Sequence, residues 1–227
     1  MSLWTRIAEA LSALTRGESL AEVFGRLRTP PEHSVAFTIA VIALGAKMAK
    51  ADGRVTRNEV AAFREVFTIP PEEEANAARV FDLARRDVAG FDLYARRIAA
   101  MFPPAAPVLA DLLEGLFHIA LADGICDPRE EAFLDEVARI FGLDGDCLRR
   151  LKVRFIPDRG RDPYVVLGVP SDAPMPAVRR AWAEAVRDSH PDRMVARGVP
   201  AEAIRLAEAR LRDVNRAWEE IRRDRAA

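Results

Sequence analysis

The sequence predicts an all-α protein: a helical bundle with an approximate internal two-fold repeat, followed by an antiparallel helix hairpin. Three observations carry this expectation. Apolar residues recur at spacings of three and four along most of the chain, the period of helices that bury one face. Two strongly apolar stretches end in the same Ala-Asp-Gly turn, Asp52-Gly53 and Asp123-Gly124, 71 residues apart. Near the C-terminus, Pro191 separates two amphipathic patterns, because proline cannot continue a helix and disfavours helical geometry at the residue before it.

Composition bounds the function. Half of the 227 residues are hydrophobic, enough for one large or two modest domains. The 34 Lys and Arg against 35 Asp and Glu leave a formal charge of −1. Up to residue 156 there are 20 basic and 23 acidic residues, and after it 14 and 12. Neither half is a polycation, so nucleic acid is not an expected partner. Cys126 and Cys147 are too few for a secreted disulfide scaffold and read as plain buried thiols. The first turn carries Trp4, Arg6 and Glu9 rather than the basic run and apolar core of a signal peptide. The longest uncharged apolar run, the twelve residues Val35 to Ala46, is too short for a transmembrane span. A cytoplasmic location is expected.

Residues 1–31 form an amphipathic arm. Leu3, Trp4, Ile7, Leu11 and Leu14 share one face, expected to fold back onto the body, with a peripheral membrane contact as the alternative. From Glu32 to Lys50 the pattern is apolar all round, which belongs at the centre of a bundle. After Asp52-Gly53, Thr56 and Glu59 form a capping box that starts a helix through Val60, Phe63, Val66 and Phe67. Glu72 to Arg86 and Phe91 to Phe102 give two further helices, and Pro103, Pro104 and Pro107 a corner. A second strongly apolar helix runs from Val108 to Ala122. In the turn that follows, Asp127 is an N-cap, Pro128 sits where a first turn tolerates proline, and Glu130 completes an acidic start. That helix continues through Phe133, Leu134, Val137 and Ile140, and a last one spans Cys147 to Ile156. The bundle is thus expected over residues 32–156 and a linker over 157–161.

In residues 162–227, Val178, Ala181, Trp182, Ala185 and Val186 precede Asp188-Ser189-His190-Pro191-Asp192-Arg193. Ile204, Ala207, Leu211, Val214, Trp218 and Ile221 follow it, a narrow seam suited to one facing helix. His190, Pro191 and Asp192 then stand at the tip of a hairpin, unused by the seam. His33, His118 and His190 lie far apart and no nucleophile motif accompanies them, so an enzyme is not expected. His118, between Phe117 and Ile119, reads as a packed histidine.

The repeat resembles the tellurite-resistance TerB-like domain family, a small helical bundle associated with metal binding and stress responses. That resemblance makes Asp52, Glu59, Asp123, Asp127 and Glu130 candidates for a divalent cation. The opposing reading is capping chemistry alone, because each turn supplies only two or three of the six to eight oxygens a Ca²⁺ ion takes. The C-terminal segment resembles a J domain. Asp162-Pro163-Tyr164-Val165-Val166-Leu167-Gly168-Val169 stands where that family opens, Val178-Arg179-Arg180-Ala181-Trp182 matches its basic helix, His190-Pro191-Asp192 its loop, and Arg216-Ala217-Trp218-Glu219 its close. The order of the two parts is similar to that of the DjlA-type co-chaperones, whose members often begin with a membrane-spanning helix that does not occur here.

The resemblance implies a non-enzymatic co-chaperone of an Hsp70-type, DnaK-like ATPase, with no cofactor of its own and the bundle recruiting a client or complex. Asp192 would meet an arginine of the Hsp70, His190 and Pro191 would shape the loop, and Arg179, Arg180, Arg187 and Arg193 would supply the positive face. Ala183, Glu184 and Asp188 thin that face, and Pro174-Met175-Pro176 starts the basic helix without a capping side chain. A metal-responsive stress module is the competing expectation.

Overall fold

The computed structural model describes residues 5–7, 9, 10, 12, 32–51, 66–75, 77, 78, 90–103, 106–121, 127–156 and 161–226. All regular structure among them is helical. The central element is α1 (Glu32–Ala51), in which Phe37 through Met48 are buried on every side. It packs on α2 (Phe91–Ala99), α3 (Pro107–Ala120) and α4 (Pro128–Ile140). The two apolar helices paired by the repeat, α1 and α3, therefore meet at the centre. A β-carbon on Gly45 would stand 3.3 Å from Ile119 Cδ1, so the small residue sets how closely these helices approach. The N-terminal arm contributes Ile7, fully buried in the same core. The junction at 52–65, with Thr56 and its partner Glu59, lies outside the described residues.

The start of α4 follows from the expected cap. Asp127 accepts from the Arg129 N–H at 2.7 Å, and Glu130 reaches back to the Asp127 N–H at 3.2 Å, a reciprocal capping box for α4. The last bundle helix, α5 (Gly145–Phe155), is capped by Asp144, which accepts from the Cys147 N–H at 2.6 Å. His118 is a packing residue, edge-on to Phe155 at 4.6 Å. Cys147 is half-buried against the core, and burial pushes its thiol pKa up.

The C-terminal segment opens with α6 (Pro163–Leu167). Asp162 caps it through the Tyr164 N–H at 2.8 Å, and Gly168 ends it at φ 68°, a left-handed conformation that side chains with a β-carbon resist. Next come α7 (Met175–Asp188), the short α8 (Pro191–Ala196) and the long α9 (Ile204–Asp224). As expected, α7 starts on proline with no side-chain cap. Its facing helix is α9: Val178, Val214, Ala217 and Ile221 are buried in a second apolar cluster with Val166 and Leu167. Trp182 and Trp218 stack 5.1 Å apart, and the Trp182 indole N–H donates to Asn215 at 2.9 Å. Arg225 closes the unit, donating to the Tyr164 hydroxyl, Ala173 O and Ser171 O.

The seam expected on α9 needs correction. Its C-terminal half faces α6 and α7, but Leu206 and Ala207 belong to the bundle's core, together with Met194, Val199 and Ala203. Ile204, a seam member by spacing, is 41% exposed. Period alone marks which residues are apolar, not which neighbour covers them. The hairpin is thus rooted in the bundle through its middle third.

Candidate partner-docking site

The tip is built by two helix ends. Helix α7 stops at Asp188, where Ser189 is buried and its hydroxyl donates to Ala185 O at 2.6 Å. His190 then leaves helical geometry (φ −66°, ψ 132°), as a residue before proline must, and becomes the N-cap of α8. Its Nδ1 accepts the Asp192 N–H at 3.2 Å, which requires that nitrogen to be unprotonated. His190 therefore acts as a brace, with Pro191 supplying the fixed φ of the first helical position. The Asp192 side chain is 91% exposed and 3.7 Å from His190 Nδ1. It is a carboxylate offered to solvent, free of any intramolecular arginine among the described residues.

Arg179, Arg180 and Arg187 are exposed, and at 100° per residue they share the outer face of α7. Arg193 is exposed too, but its guanidinium bonds Asp188 at 2.8 Å, so that charge is partly neutralised. The opposite side of α7 looks into a cleft of about 780 Å³ between hairpin and bundle, lined in part by Ala181, Asp188, Asp111 and Arg210.

The cleft floor holds a group of residues that the sequence reading did not single out. Asp111 and Glu114, each 1% exposed, lie on the bundle side in α3. Arg197, just past α8, donates from Nε and Nη2 to Asp111 at 3.1 and 3.0 Å. Arg210 of α9 bridges the two acids, at 2.6 Å to Asp111 and 2.7 Å from Nε to Glu114. Arg154 of α5 adds 2.8 Å to Glu114 and 3.1 Å to Asp213. Burial raises the pKa of Glu114, but the Arg154 and Arg210 guanidiniums outweigh it and hold the carboxyl at about 2. Arg210, between two carboxylates, is pushed above the usual guanidinium value despite its burial. The signal was present: two acids three residues apart inside a strongly apolar helix are seldom buried unless paired.

The candidate cation ligands divide. Asp127 and Glu130 each use a carboxylate oxygen on a backbone N–H of the capping box. Asp52, Glu59 and Asp123 lie outside the described residues. Among the described residues no group of three or more His, Cys, Asp or Glu is arranged to hold a metal ion, and no helix is long and apolar enough to cross a membrane.

Comparison with known proteins places these features in context. The family described as tellurite resistance protein TerB matches residues 38–153, just over half of the chain. Several curated relatives carry the name co-chaperone protein DjlA. That of Coxiella burnetii is 27% identical over 201 residues, 79% of this chain and 74% of the relative. That of Photobacterium profundum is 27% identical over 229 residues, 89% of this chain and 83% of the relative. That of Shewanella oneidensis is 24% identical over 226 residues, 92% of this chain and 84% of the relative. Coverage of 92% cannot be reached within the bundle, so that similarity extends into the hairpin. No solved structure matches the chain.

Proposed function

This chain belongs to the tellurite resistance protein TerB family, and from that premise we propose that it is a co-chaperone whose residues 162–227 act as a J domain on a DnaK-like Hsp70. The observation that carries the reading is the braced tip. His190 caps α8 and Asp192 stands 91% exposed past the end of the helix that carries the outward Arg179, Arg180 and Arg187. Such an arrangement suits a two-part encounter. The arginines steer the chain to an acidic surface, an effect on association rate more than on final affinity. Asp192 then forms a charge-assisted pair with an arginine of the ATPase, and the proton and phosphoryl chemistry stays with the partner. The similarity of most of the chain to proteins named co-chaperone protein DjlA supports the same assignment. The bundle serves as the recruitment or regulatory part.

Binding to a purified DnaK-like Hsp70 in the presence of ATP tests it. Asp192→Asn should weaken binding by about tenfold, the scale of one lost charge-assisted contact. Arg179→Ala/Arg180→Ala should slow association and flatten its salt dependence. No binding by the unaltered chain, or equal binding by Asp192→Asn, refutes the assignment.

A further inference from the structure

We propose that Asp111 is a positioning residue for the tip: through Arg197 it holds both limbs of the His190-Pro191-Asp192 turn at a fixed place on the bundle. Arg197 makes two connections at once. One guanidinium edge grips Asp111, and Nη1 donates to the backbone carbonyl of Asp188 at 3.2 Å. That carbonyl belongs to the last residue of α7, while Arg197 itself is the C-cap of α8. One side chain thus ties the end of the helix before the tip to the end of the helix after it, and anchors both to α3.

The surroundings make the link stiff. Met194, Val199, Ala203, Leu206 and Ala207 are each no more than 2% exposed in the bundle's core. Arg210 joins α9 to the same Asp111 and to Glu114. A carboxylate buried to 1% cannot turn to water, so among the described residues these arginines compensate its charge. The apolar roots of the chain after the tip, from Met194 to Ala207, and the shared buried acid leave the hairpin little freedom to swing. The orientation has a consequence for docking: Ala181 and Asp188 look into the cleft, so the Arg179, Arg180 and Arg187 face points away from the bundle. The bundle acts as a socket that presents tip and basic face together.

This inference rests on the co-chaperone reading for its purpose, but its test does not. Hydrogen exchange of the full chain, without any Hsp70, reads the backbone amides of Ser189, Arg193 and Met194, which are bonded to Ala185 O and His190 O. Arg197→Gln leaves Asp111 its bond from Arg210 and should preserve the fold. Asp111→Asn removes the charge itself. Either variant should speed exchange at those amides by about tenfold, equivalent to about 1.4 kcal/mol of opening. Exchange within α1 should not change. Unchanged tip exchange in folded Arg197→Gln overturns the proposal, and should Asp111→Asn fail to fold, Arg197→Gln alone decides. With an Hsp70 added, Arg197→Gln should lower maximal stimulation and spare the concentration for half-effect, because the Arg179–Arg180 encounter surface is intact. A lower maximum supports the positioning role, an unaltered maximum contradicts it, and absence of stimulation by the unaltered chain refutes only the co-chaperone reading.

Discussion

Replacing Glu114 by Gln should cost the protein about 3 kcal/mol at pH 7 and almost nothing at pH 2. Glu114 is buried between Arg154 and Arg210, which hold its carboxyl at about 2 against an ordinary value of 4.5. At about 1.4 kcal/mol for each tenfold change in proton binding, that difference corresponds to about 3 kcal/mol favouring the ionised folded form. Removing one partner from a buried ion pair costs about 3–5 kcal/mol, in the same range. The lower end applies, because Arg154 keeps Asp213 and Arg210 keeps Asp111. Because the folded pKa is depressed, this stabilisation is complete above about pH 4.5 and disappears as pH falls toward 2. Urea unfolding followed by circular dichroism, wild type against Glu114→Gln at pH 7, 5, 4 and 3, isolates this residue from every other carboxyl. A cost below about 1 kcal/mol at pH 7, or one that stays constant down to pH 3, would refute the reasoning.

Three smaller outcomes follow from the caps and turns. Asp127→Ala should lower stability by about 1 kcal/mol through loss of the α4 cap, equally in EDTA and in Ca²⁺. A calorimetric effect that appears only with the cation would instead favour a metal at this turn. Gly168→Ala should cost about 1–2 kcal/mol, because alanine resists a φ of 68° and its β-carbon would stand 3.2 Å from Arg150. Gly145→Ala, at the first position of α5 with open space around it, should be neutral or stabilising by up to about 1 kcal/mol. Chemical-denaturation midpoints of the two glycine variants should therefore move apart, and equal midpoints would contradict the left-handed assignment.

What the sequence made legible was local. Asp127 with Glu130 and Pro191 after His190 act within four residues of themselves. Each did what its own chemistry requires. The all-round apolar character of residues 35–48 likewise placed α1 at the centre. The illegible part joins distant segments. Arg197 and Asp111 are 86 residues apart, and Arg210 and Asp111 are 99 apart. No period or motif links such pairs. On α9, Leu206 and Val214 look alike in sequence, yet one is covered by the bundle and the other by the hairpin. A seam read as having one partner has two. For the same reason a hairpin that reads as a separable unit shares its root with the bundle.

The central claim is that the His190 turn drives ATP hydrolysis by an Hsp70. Its most direct test is single-turnover hydrolysis by a purified DnaK-like Hsp70, with wild type and His190→Gln chains matched for helicity and melting temperature. The wild type should accelerate hydrolysis in a saturable way, and His190→Gln should leave the rate at the level of the Hsp70 alone. Acceleration by His190→Gln equal to that of the wild type would contradict the claim.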